Sequence, residues 1–487
     1  MSLHPISILA LAASFLLPAL AAQTAEPAPP TQLPLRQSAW LALAPAEREQ
    51  VLTFAGDIKS FLGVARQNQL AVAEGIRRAR ARGFVAWKPG ERLAPGARFY
   101  VDNRGRALLL GIQGRAGGAQ GFRIVGTHAD SPWLELKANP LIAKQGFVVL
   151  HVLTHGGLKH YQWVNRPLAL TGHIDRADGT RVEVSIGLAP DDPVFVIPDV
   201  APHVDRPFRN RTYTEVISTE EMLPVAASEP LPEGGVMAQM LKQLFDRYRV
   251  GPADFTSAEL ILTPNTPPAD AGLDRALIAA YGQDDRLLSF VALRSILDLE
   301  AVPDKTVLVY WTNNEEVGSV NDTGADSQFL DTVLTGLLTA DLGPGFTPLA
   351  LRQAKDRTDV ISADCNTGVN PNFPQVQEAD NAARLGEGIA LKRYGHGFDA
   401  NSEMIARFRR MFAAERIPWQ TSTYVEGIGG GGTIGLFFSA QNMNVIDLGV
   451  PLLSMHSPYE LSSKVDDWAM YRAMKAFLAG AAERPGA

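Results

Sequence analysis

Two adjacent carboxylates, Glu315 and Glu316, stand where an apolar run ends, in Trp311-Thr-Asn-Asn-Glu-Glu-Val-Gly-Ser319. Acids so placed can divide labour, one holding a metal ion while its neighbour moves a proton. The same pair also suits a plain helix start, where negative charge meets the positive end of the helix dipole. Other groups of the right chemistry fall at comparable places: His128, Asp364, His456 in Leu453-Ser-Met-His-Ser457, and Asp284 in Gly282-Gln-Asp-Asp-Arg286. Two imidazoles and three carboxylates on one rim would suit two divalent, zinc-like ions with one carboxylate bridging them. In His128-Ala-Asp130, the acid is near enough to take the second ring N–H of a ligating histidine. Structural readings compete at each position: a hydrogen-bonded core histidine at 128, a helix cap at Asp284-Asp285, a turn at Asp364, a loop cap at His456.

The elements that must carry these residues are strands that stop beside them. Lys305 to Trp311, rich in β-branched and aromatic residues, reads as a buried strand running into the two acids. Phe122 to Gly126 leads into His128, Thr358 to Ala363 into Asp364, and Asn444 to Leu448 precedes the His456 segment. Arg98 to Val101 and Ala107 to Ile112 flank Asp102-Asn-Arg-Gly105 as a hairpin. Helical periodicity marks Ala44–Arg66, Asn68–Arg82, Asp285–Glu300, Ser327–Leu338, Ala400–Glu415 and Trp468–Ala482. Such alternation predicts an α/β fold: a mostly parallel, mixed sheet flanked by helices on both faces. Acids at the ends of its strands would lie in the crevice where such sheets bind ligands. From 138 to 262 the texture changes to short β-like runs and a Pro/Asp-rich stretch, so an inserted, mostly-β domain is expected. It would interrupt one α/β domain made of 38–137 and 263–487.

A length of 487 residues allows two domains, and 46% hydrophobic with 20% charged residues describes a chain able to bury a large core. The net charge of -7 and the absence of a Lys/Arg run argue against a nucleic-acid partner. Ile6 to Leu20 is almost wholly apolar, and Ala19-Leu20-Ala21 gives an A-x-A pattern before Ala22. Residues 1–21 are therefore expected to be a signal peptide and 22–37 a linker, which predicts an exported, periplasmic or secreted protein with no membrane span after cleavage. The single Cys365 excludes an internal disulfide and reads as a small buried residue.

A second chemistry competes. Gly427, Gly429 and Gly432 in Gly427-Ile-Gly-Gly-Gly-Gly432 satisfy G-x-G-x-x-G. Asp447 ends a later strand about 20 residues on, where a ribose-binding acid belongs in an NAD-dependent oxidoreductase. The plainer reading is a tight loop that lets backbone approach a bound substrate.

Seven ordered blocks then make the chain resemble the aminopeptidase I and aspartyl aminopeptidase family of dinuclear zinc exopeptidases, from roughly Leu62 onward. They are His128 to Pro132, Gly156-Gly-Leu-Lys-His-Tyr-Gln-Trp163, Asp191-Asp-Pro-Val-Phe195, Asn314 to Ser319, Ser362 to Phe373, Gly429 to Gly435, and Met455-His-Ser457. The resemblance implies two divalent ions, zinc with cobalt or manganese as substitutes. His128 and Asp364 would bind one, Glu316 and His456 the other, with Asp284 bridging and Glu315 as general base. It further implies a cis Asp284–Asp285 peptide, peptide substrates cleaved at the N-terminal residue, an inserted domain for dimer contacts and for roofing the site, and a homo-oligomer up to a dodecamer. Thr367 and Asn370 replace histidines of the aspartyl branch, and Tyr161, beside His160, stands at its substrate-contacting histidine. These departures resemble the bacterial aminopeptidase I branch. A catalytically inactive, exported peptide-binding relative is the remaining alternative, although all six metal and base positions are filled.

Overall fold

Successive side chains of the strand Thr306–Thr312 point to opposite faces, and both faces are apolar. Val307, Val309 and Trp311 enter one hydrophobic core; Leu308 and Tyr310 enter a second. A strand buried on both sides must lie inside a sheet covered on both faces. The computed structural model, which describes residues 37–395, 398–425 and 433–483, has this architecture.

Nine strands form the principal sheet. At its centre Thr306–Thr312, Phe122–His128, Asp359–Ala363 and Asn444–Gly449 run parallel in that spatial order. Ala107–Ile112 is antiparallel to the first of these, and Ile389–Lys392 to the last. The expected α/β class and the largely parallel, mixed sheet are therefore present. Register aligns the strand ends, with Thr312 opposite His128 and Ser362 opposite Gly126. The chemistry-bearing residues consequently leave the sheet at one edge.

Helices Pro45–Val64, Asn68–Arg80, Gln283–Leu297, Ser402–Ala414 and Lys464–Leu478 supply the first core, while Phe329–Leu342 supplies the second. Gly75 shows how tight the first layer is, since a Cβ there would stand 2.7 Å from the Trp311 ring. The last helix begins at Lys464, four residues before the expected start, because its first turn is acidic. In that turn Asp466 accepts the N–H groups of Gly386 and Gly388, which apolar periodicity does not reveal.

Six antiparallel strands drawn from residues 133–264 form a second sheet, with its own core around Leu134, Val152, Trp163, Leu170 and Leu262. A five-stranded sheet combines Ala269–Ala271, Leu277–Ala280, Glu460–Ser463, Pro451–Leu453 and Asn366–Thr367. It brings the approaches to Asp284 and His456 side by side.

The expected signal peptide (1–21), nearly all of the linker (22–37) and Gly427, Gly429 and Gly432 lie outside the described residues. Among the described residues no helix is long and apolar enough to cross a membrane.

Candidate metal centre

His128 is the last residue of its strand and is 1% exposed. After Thr312 the chain turns at Asn314, in the left-handed region at φ 60°, into the single 3-10 turn Glu315–Val317. That turn separates the two acids. Glu316 places Oε2 3.4 Å from His456 Nε2, whereas Glu315 places Oε2 3.9 Å from His128 Nε2. Asp364, one residue beyond the strand Asp359–Ala363, has Oδ1 3.9 Å from His128 Nε2.

The other two residues arrive from the five-stranded sheet. Leu277–Ala280 leads through Gly282 to Asp284, and the Asp284–Asp285 peptide is cis. Asp284 lies between the imidazoles, Oδ1 3.5 Å from His128 Nε2 and Oδ2 3.2 Å from His456 Nε2. His456 sits in the turn between Pro451–Leu453 and Glu460–Ser463 with φ 64°, and its Nδ1 is 2.8 Å from the Gly157 carbonyl oxygen. All six residues singled out in the sequence thus converge, and Asp130 lies directly behind His128.

Asp130 does not serve His128 alone. The His128 Nδ1 is 3.2 Å from the Asp130 carbonyl oxygen and 3.4 Å from its carboxylate. The carboxylate also faces His155 Nε2 at 2.9 Å and accepts the N–H groups of Glu315 (3.1 Å) and Glu316 (3.2 Å). It therefore ties the histidine strand to the acid turn.

Glu460 performs a similar task that no spacing in the sequence announces. It is fully buried and accepts the N–H groups of His456 (2.9 Å), Gln283 (2.6 Å) and Asp284 (3.4 Å). It sits four residues past His456 in a strand, where alternation makes an acid look like an ordinary outward-facing residue. His155 escapes notice for the same reason.

The electrostatics follow from crowding acids in a dry crevice. Burial pushes the Glu315 carboxyl up to about 8, with Asp364, Asp130 and Asp284 adding to the rise against the pull of His128. Burial and Asp284 likewise raise Glu316 well above the carboxylate range despite His456. Burial opposes charge on both histidines but is outweighed: His128 is raised by Asp130, Asp284 and Asp364, and His456 is raised to about 10 by Asp284 and Glu316. Asp284 is held low, against its burial, by the two imidazoles.

Surplus carboxylate charge of this kind is what a bound cation relieves. His128, Asp284 and Glu316 offer ligand atoms all within 4.8 Å of one another. Asp284 Oδ1 and Glu316 Oε1 are buried without hydrogen-bond partners, as atoms reserved for a metal would be. Nitrogen and carboxylate oxygen donors in this mixture match zinc. Asp284, Asp285 and Cys365 form a second close group. There, burial and the neighbouring acids raise the Cys365 thiol well above its usual range, which disfavours the thiolate a metal needs.

Asp447, the expected ribose-binding acid, faces inward. Its Oδ1 is 3.5 Å from the buried Lys392 Nζ, and its Oδ2 accepts the Thr433 hydroxyl at 2.9 Å. Those partners occupy the carboxylate and disfavour the dinucleotide reading.

Comparison with known proteins identifies the family and the fold. The family model for the aminopeptidase I zinc metalloprotease (M18) matches residues 64–478. A probable M18 family aminopeptidase 1 from Borrelia garinii subsp. bavariensis is 33% identical over 454 residues, covering 91% of this chain and 99% of the relative. The crystal structure of the M18 aminopeptidase from Thermotoga maritima is similar at 33% identity and a TM-score of 0.87, with 92% of this chain and 99% of that one covered. The S. cerevisiae mApe1 dodecamer shares the fold at 21% identity and a TM-score of 0.72, with 88% and 97% covered. These relatives overturn the expectation of an exported, periplasmic or secreted protein. They are M18 aminopeptidases, and the family match in this chain begins at residue 64, whereas that expectation rested on the apolar run Ile6 to Leu20 and the Ala19-Leu20-Ala21 pattern. No Lys or Arg precedes that run, and apolar composition without the basic start does not specify a signal.

Proposed function

The chain belongs to the aminopeptidase I zinc metalloprotease (M18) family and is a zinc-dependent aminopeptidase; within that activity we propose a two-metal site in which Glu315 moves the proton. His128 and Asp364 would hold one ion, Glu316 and His456 the other, with Asp284 shared. Bound there, two divalent ions would acidify a water and polarise the scissile carbonyl. The single observation that carries this reading is the two-sided placement of Asp284, one carboxylate oxygen toward each imidazole.

The neighbouring acids differ as their roles require. The Glu316 side chain is 3% exposed and turned toward His456, as a ligand should be; that of Glu315 is 17% exposed, leaving room for water and substrate. Glu315 takes the proton of the attacking water and gives it to the departing amine nitrogen as the peptide C–N bond breaks. Asp130 orients His128 and the acid turn, acting through them.

The substrates would be short peptides losing one N-terminal residue at a time, with the free α-amine as the recognised feature. Residues 138–262 are read as a β-rich dimerisation and lid domain between catalytic parts 38–137 and 263–487, and the assembly as a homo-oligomer built from dimers. The test is metal stoichiometry. Apo-protein titrated with zinc should bind two equivalents per chain, and Asp284→Ala should weaken both; saturation at one equivalent would overturn the shared-ligand arrangement.

A further inference from the structure

Asp130 is 0% exposed and engaged on every side, and one of its partners belongs to a network that reaches away from the metal centre. His155 ends the strand Phe147–His155, whose antiparallel register sets it opposite Trp133. The Trp133 ring stacks on the imidazole with centroids 4.4 Å apart and planes 22° apart. His155 Nε2 is 2.9 Å from Asp130 Oδ2, and Nδ1 is 3.1 Å from Glu135 Oε1. Trp133 Nε1–H donates to the same Glu135 oxygen at 2.8 Å.

Both ring nitrogens of His155 face carboxylate oxygens, which only accept, so the doubly protonated ring is the form that suits both contacts. Burial opposes that charge, but Asp130 and Glu135 outweigh it and push the group up to about 9. The aromatic stack and the two carboxylates leave the ring one orientation. A solvent molecule in its place would rotate and carry no charge, and the buried Asp130 would lose its second imidazole.

We propose that His155 is a positioning residue of the hydrolytic reaction: clamped by Trp133 and Glu135, it fixes the Asp130 carboxylate and, through it, His128 and the Glu315–Glu316 turn. This rests on the reading in which His128 and Glu316 hold metal and Glu315 moves the proton. His155 touches neither substrate nor metal in this scheme, so its influence must pass through Asp130.

The discriminating experiment is a double-mutant cycle in the full-length, zinc-loaded enzyme with His155→Gln, Asp130→Asn and the pair. Two quantities are read: kcat and KM on the best amino-acyl p-nitroanilide of a panel, and the rate at which a chromogenic chelator strips zinc. His155→Gln should lower kcat about 10-fold with little change in KM and should hasten zinc loss to a similar degree. In the Asp130→Asn background it should add nothing to either readout. Additive effects in the cycle, or a His155→Gln enzyme indistinguishable from wild type beside a crippled Asp130→Asn, would overturn the positioning role alone. Wild-type behaviour of Asp130→Asn would sink the underlying site reading, and this role with it. If His155→Gln does not fold, Glu135→Gln replaces it in the cycle, since the Glu135 side chain is 37% exposed. It should show a smaller loss with the same non-additivity, and additivity there would again overturn the proposal.

Discussion

Two buried carboxylates flank the centre, Asp130 on the His128 side and Glu460 on the His456 side, and they hold their charge differently. Both gather backbone N–H groups from segments that carry the site: Asp130 those of Glu315 and Glu316, Glu460 those of Gln283, Asp284 and His456. Asp130 also meets two imidazoles, which hold it well below the ordinary carboxylate range against its burial. Glu460 has no imidazole ring against its carboxylate. Burial, reinforced by Asp284, pushes it up to about 8 despite the backbone donors and the charge of His456. Asp130 is thus held charged by two imidazoles, whereas Glu460, buried beside Asp284, is pushed toward its neutral form. One flank is an electrostatic anchor, the other a geometric clamp.

Variants at the centre and on each flank should separate these roles. The largest effect is expected at Glu315, whose N–H the Asp130 flank holds: Glu315→Gln should lower kcat by about 10³-fold while zinc content stays at the wild-type value. Zinc lost from this variant in elemental analysis would exchange the roles of Glu315 and Glu316. Next comes the anchor: Asp130→Asn should cost about 10- to 100-fold in kcat or zinc affinity and little in unfolding midpoint. The clamp should behave in the opposite way. Glu460→Gln sets an amide N–H₂ against backbone donors and should cost about 1–3 kcal/mol of stability, read in urea unfolding, with a smaller loss of rate. Equal profiles for the two variants would erase the distinction between anchor and clamp.

The smallest effect is expected at Asp467, a buried acid that accepts the Ser462 hydroxyl and touches none of the proposed metal ligands. Burial pushes it up to about 8, and its Oδ1 has no partner. Its folded pKa lies above the unfolded value, so its contribution is full below about pH 4 and is lost as pH rises toward 8. Asp467→Asn should therefore flatten the fall in stability of the apo-protein between pH 5 and 8. An unchanged slope in urea unfolding at those two values would remove Asp467 as its cause.

Much of this arrangement is written along the chain. Four strands whose both faces are apolar can only be interior, and the residues directly after them must share one edge; His128, Glu315, Glu316 and Asp364 follow from that. The six helices expected from apolar periodicity are present to within four residues at either end, and Pro348–Asp356 is not among them. Lys464 starts one of the six early because its acidic first turn finds its donors at Gly386 and Gly388. Asp447 misleads because spacing suggests a ribose-binding acid, and only the fold sets Lys392 beside it.

Local pattern thus settles which elements form and which residues stand at their ends, because side-chain alternation and strand termination are properties of neighbours in sequence. It does not settle which ends meet across the molecule. That His155 reaches Asp130 depends on antiparallel register, and that Glu460 joins the Asp284 and His456 segments depends on adjacent strands of a five-stranded sheet. Those contacts are fixed by long-range pairing, whose geometry no local spacing encodes, and so the acids and imidazoles are legible in the chain while their supports emerge only in the folded molecule.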